Sequence, residues 1–122
     1  MSIDTKAEDF DIGGVYLAYE GKKVRPILII SDGLGFDFAD VNIARISSQA
    51  PRSEFDVQIK NWQEAGLKQP SVVKCSKVRA MEVGKINLKL GDLSDDDLER
   101  VLDKAAQYLI QAKERAFQKR QT

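Results

Sequence analysis

The side chains able to move protons or attack a substrate here are carboxylates, hydroxyls, lysines, arginines and one thiol, because the chain contains no histidine. That excludes a histidine general base, a Ser-His-Asp triad and most catalytic zinc sites. Cys75 is the only cysteine. With no histidine to activate it, it reads as a small buried hydrophobe rather than a nucleophile. With no second cysteine to pair, the chain points to a reducing, cytoplasmic setting. Lys74, Lys77 and Arg79 lie close together in sequence. They fit a phosphate-facing patch and an exposed strand face of scattered charge equally well. Arg25 opens an apolar run beside a turn, and on its own it reads as a solvated charge or a surface ion pair. Ser47 and Ser48 on their own read as polar residues closing a strand. Arg45 and Arg52 could add contacts to an anionic chain, although Arg52 beside Pro51 reads first as a surface loop residue. Trp62 could stack on a nucleobase, but Leu67 nearby favours packing in the core.

The elements that must position these groups are short. At 122 residues, 43% hydrophobic and 31% charged, the chain suits one globular domain over residues 13–122 after a loose leader at 1–12. Its 19 basic and 19 acidic residues cancel, with a pI near 6.3. No whole-molecule field draws it to a polyanion, so any such contact needs a local patch. No apolar run is long enough to span a membrane.

Strands are expected at Val15–Tyr19 and Val24–Ile30, joined by a tight turn, with Pro26 near a strand start or on an edge. Ser31–Phe38 reads as a loop. Further strands are expected at Val41–Ser47, Phe55–Ile59, Val72–Val78, Met81–Val83 and Ile86–Leu90. Asn61–Leu67 reads as a helical turn ended by Gly66 in a left-handed conformation. The last element has Ser94 as its N-cap, Asp95, Asp96 and Asp97 in its first turn, and an apolar period through Leu98, Val101, Leu102, Ala105, Leu109, Ala112 and Ala116. A helix over about 94–119 follows. Strands first and one helix last predict a mainly β domain, a small barrel or curled sheet, with the helix across one opening or face.

Four ordered stretches carry a resemblance: Gly14–Leu17, then Val24-Arg25-Pro26 with the aliphatic run to Ile30, then Ala44-Arg45-Ile46-Ser47-Ser48-Gln49, then Ala65-Gly66-Leu67 shortly before Ser71-Val72-Val73. Together with Lys89–Asp95 before the final helix, this set resembles the PemK/MazF family of toxin endoribonucleases, from about Gly13 to Ala112. The resemblance implies an SH3-like barrel, a homodimer, a separate antitoxin partner, and cleavage of single-stranded RNA with no metal or other cofactor. It places Arg25 at the scissile phosphate and Ser47 at the strand end in the active site. Ser48, Arg45, Lys74, Ser76, Lys77 and Arg79 then become expected RNA contacts. An always-charged guanidinium fork suits the charge that builds on phosphate oxygens. A nearby hydroxyl can position the phosphate or the attacking group. Ser76 stands where many members carry a carboxylate, which leaves the proton acceptor unassigned and a catalytically impaired binding module as the alternative.

Overall fold

A run of three consecutive buried side chains, Ile27, Leu28 and Ile29, sets the architecture: a strand like this must be covered on both faces. The computed structural model describes residues 5–32 and 39–121. Residues 1–4 of the expected leader and 33–38 of the expected Ser31–Phe38 loop lie outside the described residues.

Six strands form one antiparallel sheet: β1 (Gly14–Glu20), β2 (Lys23–Ser31), β3 (Asp40–Ser47), β4 (Asp56–Gln58), β5 (Val72–Glu82) and β6 (Ile86–Asp92), in the order β4-β5-β3-β2-β1-β6. A single helix, α1 (Asp95–Gln121), closes the chain. The fold is thus mainly β with a C-terminal helix, as expected, but the sheet stays open. The terminal strands β4 and β6 do not pair. β4 has only three residues, and the gap beyond it is filled by the turn after β4 rather than by a ladder. In that turn Ala65 donates to Asn61 O, Gly66 N to Gln63 O and Leu67 N to Trp62 O, the bonding that closes a helical turn on a left-handed residue. Gly66 has φ +81°, and a Cβ there would run into the Leu90 carbonyl of β6.

Alternate residues divide the core in two. On one side Tyr16, Ala18, Ile27, Ile29, Ile43 and Met81 pack with Ala7 and Phe10. Those last two belong to the expected leader, whose described part therefore supplies core residues, with Phe10 edge-on to Tyr16 at 5.2 Å. On the other side Val15, Leu28, Ala44, Ile46, Val73 and Cys75 pack against Val101, with Trp62, Leu67 and Leu98 partly buried among them. Trp62 is thereby held in the core, as its neighbour Leu67 suggested.

Two expected elements change form. The segments read as separate strands at Val72–Val78 and Met81–Val83 are one strand, β5, with a bulge. Ala44 pairs with Val78 and the next residue, Arg45, with Lys74, so Cys75, Ser76 and Lys77 stand out of the ladder. Such an insertion bends the strand and re-aims its side chains. In α1 the apolar period does not mean burial throughout. Val101 is buried and Leu98 and Ala105 are partly so, whereas Leu109, Ala112 and Ala116 are exposed. The helix is about 40 Å long, more than the sheet can cover, and its docked part ends near Tyr108, whose ring meets Phe55 at 5.1 Å. In β6 the alternation Ile86, Leu88, Leu90 likewise buries only Ile86; Leu88 lies on the open edge strand and is exposed.

Candidate functional site

Pro26 has no N–H to give, and β2 tolerates it because β3 pairs only from Ile27 onward. Arg25 precedes it, opposite Ala18 of β1, with its side chain 38% exposed. Ser47 is the last residue of β3. Its Oγ accepts the Gln49 N–H at 3.1 Å, a local bond that turns the chain out of the strand. The bulge in β5 sets Ser76 and Lys77 beside Lys74. These pieces meet at a groove of about 780 Å³ lined by Arg25, Pro26, Arg45, Ser47, Ser48, Gln49, Arg52, Lys74, Ser76 and Lys77, among others.

Seven of the eight expected site residues therefore share one groove. Arg79 does not. Its guanidinium donates to Glu20 at 2.6 Å and lines a separate, smaller cleft with Tyr19, Asp40 and Glu82. The bulge explains the separation, because it divides Lys74, Ser76 and Lys77 from the stretch that begins at Val78.

Sequence reasoning missed three residues. Lys68, on the stretch between the helical turn and β5, adds a cation to the lining. Asp56, at the start of β4, is the carboxylate among the lining residues. It accepts from Lys74 Nζ at 3.2 Å and from the Arg52 backbone N–H at 2.9 Å, and its side chain is almost fully buried. Glu20, at the end of β1, stands 3.8 Å from Arg25 Nε and holds Arg79 on its other oxygen. The five-residue step from Glu20 to Arg25 across a tight turn was the available signal: hairpin pairing brings strand ends together.

Charge defines the groove. Arg25, Arg45, Arg52, Lys68, Lys74 and Lys77 face a single acid, Asp56, in a chain whose formal net charge is zero. The thiol of Cys75 is not part of this chemistry. It is buried, approaches the Val101 carbonyl at 3.6 Å, and burial together with the Asp56 charge pushes it up to about 11.

The structure is thus an open six-stranded antiparallel sheet with a terminal helix and a cation-lined groove over its β3 and β5 ends. The sequence model of the PemK-like, MazF-like toxins of type II toxin-antitoxin systems matches residues 9–109, and the chain belongs to that family. No curated protein matches it by sequence search. Solved structures share the fold. A MazE–MazF crystal structure from Deinococcus radiodurans superposes with a TM-score of 0.68 at 20% identity, covering 82% of this chain and 94% of that one. The Mycobacterium tuberculosis toxin MazF-mt6 superposes with 0.66 at 21% identity, covering 79% and 95%. A mycobacterial endoribonuclease in complex with its cognate antitoxin gives 0.65 at 19% identity, covering 80% and 91%.

Proposed function

We propose that this chain is an endoribonuclease toxin that cleaves single-stranded RNA without a metal, working as a cytoplasmic homodimer and restrained by a separate antitoxin protein. The observation that carries the reading is the concentration of six cations, with the Ser47 and Ser48 hydroxyls, in one groove of a neutral chain. Endoribonucleases of the same fold, one of them bound to its antitoxin, support it.

Arg25 meets the scissile phosphate and offers its fork to the non-bridging oxygens as charge builds there. The 2′-hydroxyl of the preceding nucleotide gives up its proton and attacks phosphorus, the bond to the 5′-oxygen breaks, that oxygen takes a proton from water, and the products are a 2′,3′-cyclic phosphate and a 5′-hydroxyl. DNA lacks the attacking group and is spared. Ser47 spends a lone pair on Gln49 and keeps its O–H to donate to the phosphate. Arg45, Ser48, Lys74, Ser76 and Lys77 hold the strand on either side. Arg79 contributes indirectly, by sharing Glu20 with Arg25 and so steadying the guanidinium. With Ser76 in place of a carboxylate, Asp56 is the acid available in the groove to take the 2′-hydroxyl proton.

The second reading, an RNA- or protein-binding module with impaired chemistry, is favoured by one fact: Asp56 is already held by Lys74 and by the Arg52 backbone. A mixed single-stranded RNA pool treated with purified protein in excess chelator separates the two. Discrete cuts with 5′-hydroxyl ends, abolished in Arg25→Ala and reduced in Asp56→Asn, establish the enzyme. RNA retention with no cuts at high protein concentration establishes the module, and 5′-phosphate ends or a strict magnesium requirement sink the proposed mechanism.

A further inference from the structure

Asp97 is the one buried charged side chain among the described residues, and it grips a segment far back in the sequence. Its Oδ1 accepts the Lys60 N–H at 3.1 Å and its Oδ2 the Asn61 N–H at 2.9 Å. Arg100, also bonded to Asp97, donates to the Gln58 carbonyl at 3.0 Å. The first turns of α1 thus hold the backbone at residues 58, 60 and 61, where β4 ends and the helical turn begins. Asn61 adds a side-chain bond of its own, from Nδ2 to Ser94 Oγ at 3.0 Å. Capping α1 requires none of this. Ser94 already accepts the Asp97 N–H, and an acid favours the macrodipole equally well from the surface, as the exposed Asp95 and Asp96 do.

What the grip fixes is a wall of the groove. The Asn61 carbonyl accepts the Ala65 N–H and the Trp62 carbonyl the Leu67 N–H, so the turn is one short bonded piece whose direction is set where it starts. It ends at Gly66, against the Leu90 carbonyl, and passes the chain to Leu67 and Lys68, which line the groove. At the base of the segment the Ile59 N–H donates to Ser71 O at 3.0 Å, so both ends are anchored. We infer that Asp97 is a positioning residue for RNA: from the start of α1 it sets the direction of this turn and so aims Lys68 into the groove. The inference rests on RNA as the ligand of the groove and gives Asp97 no part in breaking the strand.

Binding of single-stranded 2′-O-methyl RNA at several salt concentrations tests it, because that strand keeps its phosphates and lacks the attacking hydroxyl. Asp97→Asn keeps the side-chain volume but leaves one acceptor oxygen for two N–H groups. It is expected to behave as Lys68→Ala does, with affinity about fivefold lower at low salt and a salt slope shallower by about 0.7, the share of one phosphate contact. The double variant is expected to bind no more weakly than Lys68→Ala, since the contact is already gone. Ile86→Val lowers stability from the other half of the core and is expected to leave the slope unchanged. Circular dichroism confirms folding. Should Asp97→Asn not fold, Arg100→Ala loosens the same grip and is expected to move the slope the same way, and an unmoved slope there overturns the inference. Lys68→Ala that weakens binding while Asp97→Asn does not, or losses that add in the double variant, overturn it and leave the RNA reading standing. So does a Lys68→Ala that binds as wild type. An Ile86→Val slope as shallow as that of Asp97→Asn reduces the effect to general destabilisation and overturns the inference, and a wild type that holds no strand overturns the RNA reading itself.

Discussion

Replacing Arg25 by lysine keeps a positive charge but removes the planar fork, so the variant separates simple attraction from shaped stabilisation of a phosphate. Cleavage by Arg25→Lys is expected to fall about 100-fold or more, nearly as far as in Arg25→Ala, while RNA retention falls much less. Single-turnover cleavage alongside filter binding measures the two effects separately, and equal losses in both would make Arg25 a mere docking charge. Its partner Glu20 stood a short hairpin away in sequence, and only the hairpin spacing pointed to it, because an isolated glutamate at a strand end is ordinary. Cys75 shows the opposite case. Its solitude in a chain without histidine already argued for a packed thiol, and burial holds that thiol protonated, with its pKa raised to about 11. A thiol-specific reagent at about pH 8, below that value and near the ordinary cysteine range, is expected to leave the native protein unmodified and to react at once after denaturant. Modification of the native protein at the rate of a free thiol would contradict the burial.

At the scale of the elements, Asp97 joins α1 to the turn that follows β4. Ser94 caps the helix by accepting the Asp97 N–H at 3.2 Å, which leaves the Asp97 carboxylate free to reach outward. It accepts from the backbone of Lys60 at 3.1 Å and of Asn61 at 2.9 Å, and it is also bonded to Arg100. Burial by itself would raise its pKa, but those two backbone bonds and the Arg100 guanidinium outweigh it and hold the group below the usual carboxylate value. A depressed folded-state pKa makes the contribution complete once an unfolded carboxylate would be ionised and removes it as the pH falls through the lower folded value. Wild type is therefore expected to lose stability below about pH 4, and Asp97→Ala to show a flatter profile there. At neutral pH Asp97→Ala strands two part-buried backbone N–H donors and leaves Arg100 with only Asp96 and the Gln58 carbonyl, at a cost of about 2 kcal/mol. Urea melts across pH check both statements, and parallel acid profiles for the two proteins would refute the assignment. In sequence Asp97 read only as one of three acids favouring a helix N-terminus. Its clamp on residues 36 and 37 positions away depends on how the chain returns.

Across the whole molecule, neutrality and a basic groove coexist because the acids gather elsewhere, notably at the start of α1. Lys74 is already balanced by Asp56, so about five of the groove cations remain to meet phosphates, and log affinity for single-stranded RNA should fall with log salt at a slope of roughly −3.5. Titrations at several salt concentrations measure it, and a slope near zero would remove the groove from RNA binding. The alternation of β1, the Arg25-Pro26 strand opening, the helical turn ended by Gly66 and the Ser94 cap were all legible in sequence, since each is decided by residues within a few positions of one another. The ordered motifs likewise brought Arg25, Ser47 and the Lys74–Lys77 stretch into one expected site. The open edge between β4 and β6, the bulge that sends Arg79 to another cleft, the burial of Ala7 and Phe10, and the exposure of Leu109, Ala112 and Ala116 on α1 were not legible. Each depends on which distant segments meet and how much surface they leave over, and that balance is struck only when the whole chain packs.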